Sequence, residues 1–198
     1  MNRESHYFID DPSLEHREKT IKFFFRSREY KFITDAGVFS PDEVDPNTAF
    51  MLRNIPPLAG SLLDLGCGYG CVGIILGDQC GLDVTAVDIN PRALRLAERN
   101  AKLNGVQMRV MLSDCYSAVE GKLFDTIALN PPVHAGKEVM YRMFEGAPAH
   151  LESGGCLYIV LYKKHGAESA KKKLLEVFGS CETVASDKGR FVFRCTKV

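Results

Sequence analysis

The chain has 198 residues, 45% of them apolar, enough for one domain with a sizeable core. Lys+Arg and Asp+Glu both total 25, so no overall field marks a nucleic-acid protein. No apolar run is long enough to span a bilayer, and the start Met1-Asn2-Arg3-Glu4-Ser5-His6 is too polar for a signal peptide. Seven scattered cysteines without a C-x-x-C pair argue for a reducing cytoplasm, with no disulfide framework and no metal site.

Residues 1–50 read differently from the rest. Residues 21–25 and 30–33 are short aromatic-rich runs around Arg26-Ser27-Arg28-Glu29, which predicts a β-hairpin. Gly37-Val38-Phe39-Ser40-Pro41 and Asp45-Pro46-Asn47-Thr48 then lead to a helix over 48–53. Residues 61–65 are an apolar run that stops at glycines, as a buried parallel strand feeding a turn would. A short buried helix is expected over 71–79 and a second strand over 83–87, ending at Asp88. Pro91 opens a helix over 91–103, closed by Asn104-Gly105. A third strand (107–112), a fourth (123–129) and a helix (137–150) follow. Gly154-Gly155 precede a strand over 156–162, and a helix covers 166–178. The chain closes with an antiparallel hairpin, 181–185 and 190–195, turning at Asp187-Lys188-Gly189.

Two segments carry chemistry. In Asp64-Leu65-Gly66-Cys67-Gly68-Tyr69-Gly70 the glycines let the backbone turn sharply and approach a ligand. Asp88, 20 positions after Gly68, falls at the tip of the neighbouring strand, where an acid can accept both hydroxyls of a ribose. The spacing is G-x-G-x-G, with Cys71 where the dinucleotide fingerprint needs its third glycine, so a nicotinamide dehydrogenase is disfavoured. Asp64 would repel a pyrophosphate and suits a ligand with a positive end. The second segment, Asn130-Pro131-Pro132, ends the fourth strand, at the sheet edge where α/β proteins bind ligands. Two prolines cannot continue a central strand, but they fix the direction of nearby carbonyls. An Asn oxygen and a Pro carbonyl can accept both N–H bonds of a conjugated amine and draw its nitrogen toward tetrahedral geometry.

On these residues the chain resembles the class I S-adenosylmethionine-dependent methyltransferases. The resemblance implies an α/β fold, a seven-stranded Rossmann-like sheet with a reversed last strand and an N-terminal hairpin added. It implies S-adenosylmethionine as cofactor, held by Asp64 and the loop residues Gly66, Cys67, Gly68 and Gly70. Asp88 with Ile89 would hold the ribose, Asp114 with Cys115 would flank the adenine, and Asn130 would close the site. One domain over 1–198 is expected, with 1–50 as hairpin and cover over a 51–198 core.

The run Asn130-Pro131-Pro132-Val133-His134-Ala135-Gly136 is most similar to ribosomal RNA guanine-N2 methyltransferases. It implies catalysis by Asn130, Pro131 and Pro132 and substrate contacts from Phe39, Val133 and His134. Val133 departs from the family, which usually has an aromatic there; Phe39 or His134 would substitute as a stacking partner. Adenine N6 and a protein glutamine amide are alternative acceptors, and a non-catalytic cofactor-binding module of ribosome assembly is the alternative from another class. The partner implied is ribosomal RNA or a ribosomal subunit. Guanine-N2 enzymes of this type often carry an extra N-terminal domain, for which this chain is too short. A homodimer, RNA contact through the hairpin, or a separate partner would then take its place. Two basic runs, net +3 over 15–31 and net +4 over 163–173, are either phosphate-contacting patches or solvated faces.

Overall fold

The computed structural model describes residues 14–198; the polar start from Met1 to His6, and its reading as free of a signal peptide, lie outside the described residues. The expected hairpin is present as β1 (Lys19–Phe25) and β2 (Arg28–Thr34), paired antiparallel from Lys19↔Thr34 to Phe25↔Arg28. After α1 (Pro46–Asn54) strands and helices alternate: β3 (Ser61–Leu65), α2 (Cys71–Cys80), β4 (Asp83–Asp88), α3 (Pro91–Asn104) and β5 (Met108–Leu112). Then come β6 (Phe124–Leu129), α4 (Lys137–Gly146), β7 (Leu151–Tyr162), α5 (Ala167–Phe178), β8 (Glu182–Asp187) and β9 (Arg190–Thr196).

Seven strands form one sheet in the order β5-β4-β3-β6-β7-β9-β8. The five on the β5 side are mutually parallel, and β9 runs antiparallel to both of its neighbours. This is the class I methyltransferase sheet with its reversed last strand. Both faces are covered: Ile74, Ile75 and Leu62 belong to one apolar layer, and Leu63, Ile127 and Phe144 to the other. β4 lies on one side of β3 and β6 on the other, so the order of connection reverses at β3. A crevice opens at the carboxyl ends of strands flanking such a point. The register brings those ends level, with Leu65 opposite both Val87 and Leu129. Gly66, Asp88 and Asn130 therefore follow at one edge.

The hairpin is fixed to α3 by two asparagines one turn apart. Asn100 accepts from Ile33 N at 2.7 Å and donates to Ile33 O at 2.9 Å; Asn104 does the same with Lys31 at 3.1 and 2.8 Å. The two amides thus serve the free edge of β2 as a neighbouring strand would. Asn100 Nδ2 also donates to Tyr69 O at 2.9 Å, which ties the hairpin to the glycine loop.

Two boundaries differ from expectation. The helix expected over 137–150 ends at Gly146 and continues as a 3-10 turn, Ala147–His150. Pro148 cannot donate the α-helical bond that continuation needs. The strand expected from Cys156 begins at Leu151, and its ladder to β6 shifts between Phe124 and Thr126. Gly155 sits in that irregularity; a Cβ there would lie 2.9–3.1 Å from the carbonyl oxygens of Glu152, Asp125 and Phe124. Gly155 is therefore a close backbone approach inside the strand, and both glycines lie within β7 where the sequence places them before it. Among the described residues no helix is long and apolar enough to cross a membrane, and no cluster of three metal-ligating side chains occurs.

Candidate active site

The glycine loop folds across the end of β4. Gly66 N and Cys67 N both donate to Val87 O, at 2.8 and 2.9 Å. Gly68 N donates to Asp88 Oδ2 at 2.8 Å, and Asn90 N to Asp88 Oδ1 at 2.9 Å. Asp88 is thus locked facing the loop, and burial raises its pKa above the usual carboxylate value. Gly70, at φ 90°, starts α2, and a Cβ there would meet Ala97, Ile74 and Met108 within 3.2 Å. It is not among the residues that line the cavity, whereas its neighbours Tyr69 and Cys71 are, and its backbone supplies the turn into α2.

Asp64 is 3% exposed. Its Oδ2 accepts from Gly73 N at 2.7 Å, one of the first-turn amides of α2 that have no partner within the helix. Burial raises its pKa to about 7, the Gly73 bond opposes this, and the charge of Asp88 adds to it. Cys67 is buried and its thiol pKa is raised well above normal by burial and by both carboxylates, so it is no nucleophile.

At the end of β6 the chain turns on Pro132, whose φ of −74° and ψ of 76° form an inverse γ-turn. Pro131 O accepts from Val133 N at 2.8 Å, which uses one of its two lone pairs. Asn130 Nδ2 donates to Asp45 Oδ2 at 3.1 Å and to Thr48 Oγ1 at 2.9 Å. A carboxylate only accepts, so the NH2 side of the amide must face Asp45. Asn130 Oδ1 is left without a hydrogen-bond partner among the described residues. Asp45 is itself fixed, as the N-cap of α1, by Thr48 N at 2.8 Å.

One cavity of about 430 Å³ joins these parts. Asp64, Gly66, Cys67, Gly68, Asp88, Ile89, Asp114, Cys115 and Asn130 line it, as do Pro131, Pro132, Phe39, Val133 and His134. Every residue singled out in the sequence except Gly70 is therefore at one place. Asp114 stands at the rim in a two-pronged pair with Arg142, at 2.8 and 3.2 Å. Phe39 is 38% exposed at the cavity. Its segment is anchored to the start of α3 by Arg92 Nη1 to Ala36 O at 2.9 Å and Asn90 Nδ2 to Gly37 O at 3.2 Å. His134, expected as a substrate contact, is exposed at the cavity and packs edge-on to His165 with ring centroids 5.8 Å apart. Tyr69 is buried 5.7 Å from the Phe32 ring, so it fastens the loop to the hairpin.

Sequence reasoning missed the part of Asp45 and Thr48 toward Asn130, and missed Tyr162 and His165 on the cavity wall. Tyr162 ends a parallel strand at the ligand edge, and that position was the available signal.

The sheet order, the glycine loop with acids at Asp64 and Asp88, and Asn-Pro-Pro over one cavity define a class I S-adenosylmethionine-dependent methyltransferase. The family model for the methyltransferase small domain matches residues 29–194, and the chain belongs to that family. It is 37% identical over 198 residues to the uncharacterized protein YbxB of Bacillus subtilis, covering 98% of each chain. It is 46% identical over 129 residues to ribosomal RNA small subunit methyltransferase C of Aeromonas hydrophila, covering 63% of this chain and 37% of that one. Among solved structures it superposes with TM-score 0.84 and 26% identity on the T. thermophilus 16S rRNA N2 G1207 methyltransferase in complex with AdoMet and guanosine, covering 94% of this chain and 52% of that one. The chain thus spans about half or less of the length of these two ribosomal RNA methyltransferases.

The cavity suits S-adenosylmethionine on its own terms. Its volume is that of a cofactor pocket. Two carboxylates, Asp64 and Asp88, are in its wall, and a carboxylate can accept from an ammonium or a hydroxyl. At Gly68, φ +56°, a Cβ would meet nothing within 4 Å, so the backbone is open to a ligand.

Proposed function

We propose that this methyltransferase acts on the exocyclic N2 amine of guanine in ribosomal RNA, and that Asn130, Pro131 and Pro132 form its catalytic turn. The observation that carries this is the amide of Asn130, held by Asp45 and Thr48 with its oxygen left unpaired at the cavity.

The guanine amine is planar and its lone pair is delocalised into the ring, so it is a poor nucleophile. Asn130 Oδ1 accepts one N–H, and the remaining lone pair of Pro131 O accepts the other. Pro132 holds that carbonyl in place. The nitrogen is thereby drawn out of conjugation with its lone pair directed at the cofactor side of the cavity. S-adenosylmethionine supplies a sulfonium methyl, so that a C–N bond forms as the C–S bond breaks. The two oxygens stabilise the positive charge that develops on nitrogen, and the N–H proton leaves to water. The rate comes from positioning and from dipoles fixed before the reaction.

Asp64 and Asp88 bind the methionine end and the ribose, with Gly66, Cys67 and Gly68 along the backbone and Ile89, Asp114 and Cys115 about the adenine. Phe39 and His134 serve as the flat partners of the base, with Val133 beside them. The relatives named as ribosomal RNA methyltransferases support RNA as the acceptor; the cytoplasm is the place of work that goes with this reading.

Purified protein given methyl-labelled S-adenosylmethionine and unmodified rRNA, ribosomal subunits, DNA or cell protein is expected to place label in N2-methylguanosine. Label in glutamine or N6-methyladenine would keep the catalytic turn and overturn the acceptor. Absence of label from every acceptor, with cofactor bound, would favour a non-catalytic assembly module.

A further inference from the structure

Beside the cavity lies a second cleft, of about 390 Å³. The two share Asp45, Asn47, Tyr162 and His165 as a common wall. The far side of the cleft is basic, with Lys164, Lys188 and Arg190. Lys164 follows β7, and Lys188 forms the tight β8–β9 turn with Gly189, at φ 47° and 82°. The two turns are joined backbone to backbone, Lys163 N to Gly189 O at 2.6 Å, so their lysines are presented on one frame.

Most other cations of the two basic runs are engaged. In the N-terminal run Arg17 pairs with Glu15, Lys19 with Asp42, Lys22 with Glu29 and Arg28 with Asp78. Around α5, Lys163 pairs with Glu168 and Lys173 with Glu145, and Lys171 bonds Thr183. Lys164 and Lys188 are exposed and form no ion pair among the described residues. Lys164 Nζ stands 5.2 Å from the Tyr162 ring centroid, and Arg190 lies 5.3 Å from that of Phe50 with one Nη on Asp187. Arg190 Nε has no hydrogen-bond partner among the described residues.

We propose that this cleft carries the RNA strand that delivers the target base, with Lys164, Lys188 and Arg190 on its phosphates and Tyr162 and His165 as stacking surfaces. The inference rests on RNA being the acceptor. Cations on a fixed frame beside half-buried rings at the cleft wall suit a single strand, since phosphates need charge and unpaired bases need a flat face. Continuity with the cavity sets the direction: a base in the cavity leaves its backbone at the shared wall, and the next positive charges are these three.

The test is the double variant Lys164→Ala/Lys188→Ala, with a fluorescent single-stranded RNA oligomer and bound S-adenosylhomocysteine, followed by anisotropy across a salt series. RNA affinity should fall by about tenfold at low salt. The slope of log K against log salt should shrink by about 1.4, because two cations no longer neutralise phosphates of a single strand. Affinity for S-adenosylmethionine should not change. Unchanged RNA affinity and slope would overturn the cleft even if wild-type protein forms N2-methylguanosine. Weakened RNA binding without N2 methylation of any acceptor would keep the cleft and remove only guanine N2. Guanosine, which has no phosphate, should be methylated equally by variant and wild type; an equal loss with guanosine and RNA would also overturn the cleft.

Discussion

Asn130→Ala should lower methyl transfer on the order of a hundredfold and leave S-adenosylmethionine affinity nearly unchanged. The loss belongs to kcat, because the Asn130 oxygen meets charge that develops on nitrogen only as the methyl moves. Truncation also leaves Asp45 and Thr48 without the amide they hold, at 3.1 and 2.9 Å, but Asp45 keeps the Thr48 backbone N–H at the α1 N-terminus as a donor. The loop itself should persist, since its turn is made by Pro132 and the Val133-to-Pro131 bond. Single-turnover rates and cofactor titration measure the two quantities separately. A rate within twofold of wild type would remove the amine-orienting role.

The second large effect is on cofactor binding. Asp88→Ala should weaken S-adenosylmethionine by at least about tenfold, the loss of a charged group's hydrogen bonds to a hydroxyl-bearing ligand. Gly68 N and Asn90 N would lose their acceptor too, so the loop would open at the same time. Asp64 adds a pH dependence. Its folded pKa is raised to about 7 from 3.8, so near neutrality the carboxyl is only partly ionised. A ligand with a positive end prefers the ionised form, so wild-type affinity should rise with pH through about 7, and Asp64→Asn should abolish that rise. The stability sign is opposite. A group with a raised folded pKa holds its proton more tightly when folded, so unliganded protein should lose stability as pH rises from about 4 to about 7. Calorimetric titration between pH 5.5 and 8.5 reads the binding arm, and a flat affinity in wild type would contradict the role given to Asp64.

The sheet was legible because its signals are local. Apolar runs ended by Gly66, Asp88 and Asn130 mark parallel strands, and Pro91 with Gly105 brackets α3. The site residues were legible because they follow strand ends, and all but Gly70 converge on the cavity. What escaped was pairing between distant segments. Nothing in the periodicity of α3 says that Asn100 and Asn104 hold the edge of β2, because their partners are backbone atoms 67 and 73 residues away. Asp45 stands in the run that leads to α1 and forms its N-cap; its second bond, to Asn130, spans 85 residues. The basic runs divide in the same way: Lys163 and Lys173 have acidic partners, whereas Lys164 in the same run and Lys188 outside it are exposed and form no ion pair among the described residues.

The most direct measurement is the structure of the protein with S-adenosylhomocysteine and guanosine. Guanine N2 is expected within about 3.2 Å of both Asn130 Oδ1 and Pro131 O, facing the thioether sulfur. Guanosine bound with N2 turned away from Asn130, or with another ring atom facing the sulfur, would contradict guanine N2 as the methyl acceptor.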